Sequence, residues 1–221
     1  MKVALLSDIH ANLAALEAVL AALPEVGAIW VMGDTVGYGP DPSDAIALLR
    51  EREAVLVAGN HDIAAATGRG TAKFNAYAAA AAEKHRAWLS AEERDHLAGL
   101  PLTREAGAFT LVHGSLRDPV WEYVTSQPQA EATLALARTP HCCNGHTHVP
   151  RIFRSGDRML ANPGSVGQPR DGDPRAAYAL LDTDTHAVTL ARAAYDVAET
   201  QRRIRARGLP HFLADRLALG F

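Results

Sequence analysis

Five short blocks of the chain combine aspartate, asparagine and histidine, and each block directly follows an apolar segment. The blocks are Asp8-Ile9-His10, Gly33-Asp34, Gly59-Asn60-His61-Asp62, His113-Gly114 and Gly145-His146-Thr147-His148. Carboxylate and amide oxygens together with imidazole nitrogens, without a thiolate, favour Mn, Fe, Ni, Co or Zn over Ca or Mg. The residue types therefore predict a site for divalent transition metals, if the fold brings the blocks together.

The number of candidate ligands indicates two metal ions rather than one. Two aspartates, one asparagine and four histidines make seven candidates, with His61 left over. A single tetrahedral zinc takes four ligands, whereas seven suit a pair of ions that share one bridging carboxylate. Two ions about 3.5 to 4 Å apart can stabilise both the attacking and the leaving oxygen of an in-line displacement. The pattern therefore predicts phosphoester hydrolysis.

The elements that carry the first blocks alternate between strand and helix patterns. Apolar runs at 2–7, 27–32 and 54–58 predict buried strands, and residues 11–23 and 42–53 have apolar residues at helical spacing. This alternation predicts parallel strands with crossover helices. Because ligands of α/β sheets gather outside the carboxyl ends of strands, blocks far apart in the chain are expected to converge.

The second half of the chain has a different pattern of predicted helices and strands. Residues 62–99 are predicted to be helical, and a hairpin around Ala106–Gly107 and several short strands divided by turns follow from residue 102. Residues 195–207 are predicted to form a closing helix. We expect an α/β (α+β) fold, a four-layer αββα sandwich of two central mixed sheets flanked by helices.

Composition limits the class of protein and of partner. The 221 residues are 48% hydrophobic, which fits one domain over 1–221 with a substantial core. A formal net charge of −3 predicts no stable nucleic-acid binding and no polybasic membrane surface. No apolar run reaches the roughly 20 residues of a membrane span. The expected partner is a small phosphoester substrate, with a nucleotide as one option.

The stretch HCCNGHTHVP, residues 141–150, raises a second interpretation, a structural zinc cage of cysteine and histidine. Adjacent Cα atoms, about 3.8 Å apart, are too close for the usual disulfide. Cys142 and Cys143 are therefore predicted to be free, buried strand residues in a reducing, cytoplasmic setting. His141 is predicted to lie in the core or on the surface, which leaves His146 and His148 as ligands.

The blocks, taken in order, resemble the calcineurin-like metallophosphoesterase superfamily, in particular its small bacterial phosphodiesterase-type members. The similar blocks extend from Asp8 to His148, about two thirds of the chain. The resemblance implies one metal at Asp8, His10 and His148, a second at Asn60, His113 and His146, and Asp34 as the bridge between them. It also implies hydrolysis by a metal-activated water.

The same resemblance implies a catalytic role for His61, near the leaving group, and places Asp62 to orient its ring. The third block ends in aspartate where many members of the superfamily have glutamate. This departure leaves the metal ligands untouched and concerns only the contact between His61 and Asp62.

Three further residues are candidates for substrate binding. Tyr38, in the turn-rich loop 35–42, suits stacking on a base or packing. Asn12 suits a bond to a phosphate oxygen or a helix cap, and Arg170 lies in the turn-rich segment 162–175. The remaining histidines are predicted to lie on helix surfaces or loops; these are His85, His96, His186 and His211.

We therefore expect a dinuclear metal-dependent phosphoesterase that hydrolyses phosphodiester or nucleotide-type substrates. The alternatives are a serine/threonine-type protein phosphatase and a non-catalytic metal-binding interaction module of the same fold. A retromer subunit of that fold lacks catalytic residues, whereas His61 and all seven metal candidates stand here. The apolar tail FLADRLALGF is expected to pack on the domain, with a homo-oligomer contact as the alternative.

Overall fold

Two five-stranded sheets form the centre of the protein in a computed structural model that describes residues 1–221. The ten strands are β1 (Lys2–Leu6), β2 (Ala28–Val31), β3 (Val55–Leu56), β4 (Thr103–Ala106), β5 (Phe109–Val112), β6 (His141–Cys143), β7 (Arg151–Ser155), β8 (Arg158–Asn162), β9 (Ala176–Asp182) and β10 (Val188–Ala193). The first sheet has the order β10-β9-β1-β2-β3 and the second the order β4-β5-β6-β8-β7.

Eight α-helices flank the sheets, which confirms the predicted fold class. They are α1 (Leu13–Ala22), α2 (Pro42–Glu51), α3 (Asn60–Thr67), α4 (Ala76–Trp88), α5 (Ala91–Ala98), α6 (Gln127–Leu136), α7 (Val197–Ala206) and α8 (His211–Asp215). Short 3₁₀ helices cover Thr71–Lys73 and Arg216–Leu219. None of these helices has the length and apolar character that a membrane span requires.

Alternation along β1 explains how the layers pack. Val3 and Leu5 lie in an apolar cluster that joins the two sheets, and Trp30 of β2 meets Phe109 of β5 there with ring centroids 5.7 Å apart. Ala4 and Leu6 point the other way, into a cluster with helix α1. Successive side chains of a strand point to opposite faces, so one strand serves both layers.

Strand direction places the five blocks at one edge of the molecule. In the first sheet β1, β2 and β3 are parallel, and in the second β5, β6 and β8 are parallel. Each of the five blocks begins within three residues of the end of β1, β2, β3, β5 or β6. Because carboxyl ends of parallel strands meet at one edge, both sheets deliver their polar residues to the same region.

Candidate metal centre and active site

The seven candidate ligands converge and are all buried. They are Asp8, His10, Asp34, Asn60, His113, His146 and His148. Their side chains form two groups, Asp8 with His10 and His148, and Asp34 with His113 and His146, in which the ligand atoms lie within 4.8 Å of one another. Parts of the chain as distant as residues 8 and 148 thus meet in one site, as the block pattern predicts.

The first group presents three lone pairs to a common point. His148 Nε2 lies 3.3 Å from Asp8 Oδ1 and 3.0 Å from His10 Nε2, and His10 Nε2 lies 3.8 Å from Asp8 Oδ1. His10 donates its Nδ1–H to the Val36 carbonyl, and His148 donates its Nδ1–H to the Gln168 carbonyl. Because carbonyls only accept, both Nε2 atoms carry lone pairs.

The second group repeats this arrangement at His113, whereas the outer nitrogen of His146, Nε2, has no hydrogen-bond partner. His113 Nε2 lies 3.0 Å from Asn60 Oδ1 and 2.9 Å from His146 Nδ1. His113 donates its Nδ1–H to the carbonyl oxygen of Met32, 2.8 Å away, which leaves its Nε2 without a proton. A backbone carbonyl behind a histidine fixes both the ring orientation and the tautomer, as in many metal sites.

Asp34, a member of the second group, also faces the first group. Its Oδ2 is 3.8 Å from His10 Nε2 in the first group and 3.4 Å from His113 Nε2 in the second. Its other oxygen, Oδ1, accepts a hydrogen bond from the backbone N–H of His61 at 2.8 Å. One oxygen is therefore held by the backbone while the other faces both groups, which is the arrangement that a bridging carboxylate needs.

The donor set fits metal ions. Asp8 Oδ1 is buried and has no hydrogen-bond donor, while Asp8 Oδ2 accepts from Ser7 Oγ and from the backbone N–H of His146. Burial lowers the pKa of His146 to about 2, and burial together with Arg170 lowers that of His148 to about 4. The imidazoles are thus neutral near pH 7, the form that binds metal.

The pKa values of Asp34 and Asp8 are shifted in opposite directions. Burial, followed by the negative charges of Asp62 and Asp8, raises the pKa of Asp34 well above its usual range. For Asp8, burial is the largest influence and acts in the same upward direction, but His148, His113 and the Ser7 hydroxyl together outweigh it and lower the pKa. Carboxylates crowded together away from water require compensating positive charge. Divalent cations bound where these oxygens face would supply that charge.

Backbone strain is concentrated at the ligands. Five of the seven have positive φ angles: Asp8 (52°), His10 (50°), Asp34 (54°), His146 (68°) and His148 (59°). Few non-glycine residues adopt this left-handed conformation, and strain of this kind collects at functional sites. The turns that leave the strands are therefore shaped for ligand placement at a cost in local conformational energy.

Glycine next to the ligands permits close backbone approach. A Cβ atom on Gly33, whose φ is +82°, would lie 2.8 Å from both the Gly59 nitrogen and His113 Nδ1. The strand ends of the two sheets could not approach one another so closely with a larger residue at position 33.

His61 is buried, and its ring contacts two aromatic rings. The centroids of Tyr38 and Phe74 are both 4.4 Å from that of His61, and Phe74 is stacked at an interplanar angle of 21°. One ring nitrogen of His61 lies within 4.8 Å of the ligand atoms of His10 and Asp34. Burial, followed by His148, lowers the pKa of His61 well below its usual value. His61 is therefore neutral and adjacent to the metal ligands.

The predicted contact between Asp62 and His61 is wrong. The Asp62 carboxylate accepts hydrogen bonds from the backbone N–H of Gly59 and of Val36, and Nδ1 of His61 has no partner. The cause is local, because position 62 is the third residue of α3 and its side chain folds back to cap that helix. Asp62 therefore joins the two loops that carry Asp34 and Asn60 instead of orienting the histidine ring.

A cavity of about 140 Å³ opens above the ligands. Tyr38 and Arg170, both predicted to contact substrate, line it, and an Nη2 of Arg170 lies 3.5 Å from the Tyr38 hydroxyl. Asn12 does not line it, so its predicted substrate contact is wrong and the cap interpretation is correct. The Asn12 Oδ1 accepts from the Ala15 N–H at the start of α1, and its Nδ2 donates to the Gly167 carbonyl.

Comparison with known proteins agrees with this geometry. The family model described as the calcineurin-like phosphoesterase superfamily domain matches residues 1–186. The chain belongs to this superfamily. Superfamily membership makes it a hydrolase of phosphoric ester bonds, and the superfamily is metal-dependent.

Relatives match over most of their length. An uncharacterized protein of Methanocaldococcus jannaschii is 32% identical, with 99% of this chain and 98% of that protein covered. Phosphodiesterase YfcE of Escherichia coli K12 is 29% identical, with 85% of this chain and 91% of that protein covered. The crystal structure of a metallophosphoesterase from Sphaerobacter thermophilus has a TM-score of 0.91 and 40% identity, with both chains fully covered.

His85 holds the backbone of the loop that carries Tyr38, and no pattern in the surrounding sequence indicates this contact. The expectation of a surface or loop role is wrong, because His85 on α4 is fully buried. It accepts a hydrogen bond from the Gly37 N–H at Nδ1 (3.0 Å), and its Nε2 donates to the Gly39 carbonyl (2.8 Å). The imidazole therefore holds both sides of Tyr38, whose φ is +57°. Burial lowers the pKa of His85 to about 4.

Six further cavity residues lie outside the five blocks, and no motif in the sequence indicates them. They are Lys73, Phe74, Asn75, Ala78, Trp121 and Tyr123. By contrast, Cys142 and Cys143 are free and buried in strand β6, as predicted. His141 is buried and contacts His186, with ring nitrogens 2.9 Å apart, so it stands away from the metal ligands. The cysteines and His141 thus take no part in the candidate centre.

Proposed function

We propose that this phosphoesterase holds two divalent transition metal ions and hydrolyses phosphodiester or nucleotide-type substrates. The observation that carries the proposal is the position of Asp34 Oδ2, 3.8 Å from His10 Nε2 and 3.4 Å from His113 Nε2. A carboxylate oxygen that faces two histidine-containing groups is what a bridge between two ions requires.

The ligand assignment follows from the two groups. Asp8, His10 and His148 hold one ion, and Asn60, His113 and His146 hold the other, with Asp34 shared. Oxygen and imidazole donors without thiolate suit Mn, Fe, Ni, Co or Zn. When bound, such a pair lowers the pKa of a water nucleophile and offsets negative charge on the attacking and leaving oxygens.

His61 acts on the leaving group in this proposal. Its ring lines the cavity beside Asp34 and is fixed between Tyr38 and Phe74. At neutral pH the ring is uncharged, so it stabilises the leaving oxygen by donating a hydrogen bond from its N–H. Arg170, on the Tyr38 side of the cavity, is placed to bind a phosphoryl oxygen.

The size of the cavity favours a small substrate over a phosphorylated protein. Its volume is about 140 Å³, and the aromatic side chains of Tyr38, Phe74 and Trp121 form part of its lining. The presence of His61 beside a complete ligand set favours an enzyme over a non-catalytic module.

We also propose that residues 1–221 form one domain, because Ile204 and Leu213 of the C-terminal helices pack with Tyr38 and Ala78. A reducing cytoplasm is the proposed location of the protein, in agreement with its two free cysteines.

The test combines turnover with metal content. The wild-type protein is expected to hydrolyse bis(p-nitrophenyl) phosphate with added Mn or Ni and to hold two ions per chain. His61→Ala should keep both ions and lose roughly 10²- to 10⁴-fold in kcat. Full turnover by His61→Ala would show that its role is wrong, and no hydrolysis with any metal would favour the non-catalytic module.

A further inference from the structure

The cavity extends beyond His61 along a row of rings that the metal ligands do not explain. Phe74 stacks on His61 with centroids 4.4 Å apart, and Trp121 packs against Phe74 at 5.6 Å with an interplanar angle of 62°. All three side chains line the cavity. Because His61 faces the leaving oxygen in the proposed function, Phe74 and Trp121 lie on the leaving-group side.

Hydrogen bonds within its loop and a close glycine position Trp121. The loop follows the ligand His113, and the Asp118 carboxylate accepts hydrogen bonds from the backbone N–H groups of Val120 and Trp121. Gly70 lies against the indole, where a Cβ atom would be 3.0 Å from Trp121 Cζ2. An aromatic ring positioned this firmly, yet only partly buried, is suited to contact a ligand rather than to fill a core.

Apart from the candidate metal ligand Asp34, the charged side chains that line the cavity are positive. The Lys73 ammonium lies 4.8 Å from the centroid of the Trp121 ring, and the Arg170 guanidinium lies 5.9 Å from that of Tyr38. Asp34 is the one acidic residue among those that line the cavity. The leaving-group side therefore offers an aromatic surface with an exposed positive charge, a combination that binds a planar group on an anionic molecule.

We propose that Phe74, Trp121 and Lys73 form a leaving-group subsite in which the nucleobase of a nucleotide substrate stacks on the indole. The inference rests on the proposed function for the location of the leaving group, and it adds the substrate class and the residues that select it. Stacking is tolerant of base identity because every base has a π face, so the subsite selects for a nucleobase without discriminating among bases.

The experiment measures binding directly, by isothermal titration calorimetry of the manganese-loaded protein with AMP, ribose 5-phosphate and inorganic phosphate. AMP is expected to bind about 5- to 100-fold more tightly than ribose 5-phosphate, because only AMP carries a base. Trp121→Ala should remove this difference and leave the affinity for phosphate unchanged. Lys73→Gln should weaken all three ligands by a similar few-fold factor, because its charge acts on the phosphate.

Tyr77→Ala is the matched control. Tyr77 is an exposed aromatic residue on α4 that stacks on Phe212 outside the cavity, with centroids 4.7 Å apart. Its removal should leave the ratio of AMP to ribose 5-phosphate affinity unchanged. Trp121→Phe serves if the alanine variant fails to fold, and it should keep part of the ratio.

Three results would overturn the subsite: equal affinity of the wild type for AMP and ribose 5-phosphate, retention of the ratio in Trp121→Ala, or its loss in Tyr123→Ala alone. None of these depends on turnover, so hydrolysis of bis(p-nitrophenyl) phosphate still tests the proposed function separately.

Discussion

The Nε2 atoms of His10 and His148 lie 3.0 Å apart, although both rings donate their Nδ1–H to backbone carbonyls. Two imidazole lone pairs at this distance repel each other unless a cation lies between them. Asp8 Oδ1, buried and without a donor, lies 3.3 Å from the same His148 atom. A bound cation would relieve this repulsion, so metal binding is expected to be coupled to folding.

Removal of metal should therefore lower the stability of the protein. A ligand present at about 1,000 times its Kd stabilises the native state by about 4 kcal/mol, and in a protein of this size 1 kcal/mol shifts Tm by roughly 2 to 4 °C. We expect excess EDTA to lower Tm by about 10 °C and added Mn to restore it. Calorimetric scans with and without chelator measure the shift, and an unchanged Tm would contradict the coupling.

His148→Ala should lose one ion and not both. His148 belongs to the group of Asp8 and His10, whereas His113 and His146 form the other group with Asp34. We expect metal content to fall from two ions to one per chain. The kcat should fall by more than about 100-fold, since even residues behind the ligands contribute 10- to 100-fold.

His211→Ala is the control for this substitution, since His211 is exposed at the start of α8, away from the ligand groups. It should keep two ions and full turnover. If His148→Ala retains two ions by inductively coupled plasma analysis, the assignment of this histidine is wrong.

Much of the centre could be predicted because its ligands follow strands directly. The strand and the first polar residue after it are both visible in the sequence, so the convergence of Asp8, Asp34 and His113 needed only the sheet topology. The partners of His85 are backbone atoms of Gly37 and Gly39, more than 40 residues away, and no local pattern marks such a contact.

Two site predictions differ from the structure because the side chain caps a helix instead of contacting the site. Asp62 and Asn12 each lie at the start of a helix, where unpaired backbone N–H groups attract side-chain oxygens. Asp62 therefore bonds the Gly59 N–H instead of the His61 ring, and Asn12 bonds the Ala15 N–H instead of a substrate. Trp121 cannot be recognised from the sequence, because a single aromatic residue in a loop has no periodic signal.

Gly33→Ala should be far more damaging than Gly107→Ala. Both glycines have positive φ angles, +82° and +59°, and each alanine variant adopts a left-handed conformation that costs about 1 to 2 kcal/mol. At Gly107 the added Cβ meets nothing within 4 Å, whereas at Gly33 it lies 2.8 Å from Gly59 N and His113 Nδ1. We expect about 1 to 3 kcal/mol of additional destabilisation at Gly33 from steric overlap.

Urea denaturation measures both variants, and metal analysis accompanies it. Gly33→Ala should also weaken binding at the group of His113, while Gly107→Ala should keep both ions. Equal loss of stability in the two variants would mean that the close approach of the strand ends contributes nothing.

The buried His85 should make stability depend on pH. Its pKa falls from 6.5 to about 4 on folding because burial disfavours the charged ring, so between these values the unfolded chain binds more protons than the folded one. The free energy of unfolding should therefore decrease as the pH falls from about 6.5 to 4, by roughly 3 kcal/mol from this residue. Urea denaturation in EDTA at several pH values from 7 to 4 compares the wild type with His85→Gln. The variant keeps a polar side chain on the loop of Gly37 and Gly39 but cannot be protonated, so its stability should fall less steeply over this range; parallel curves for the two proteins would rule out the assignment.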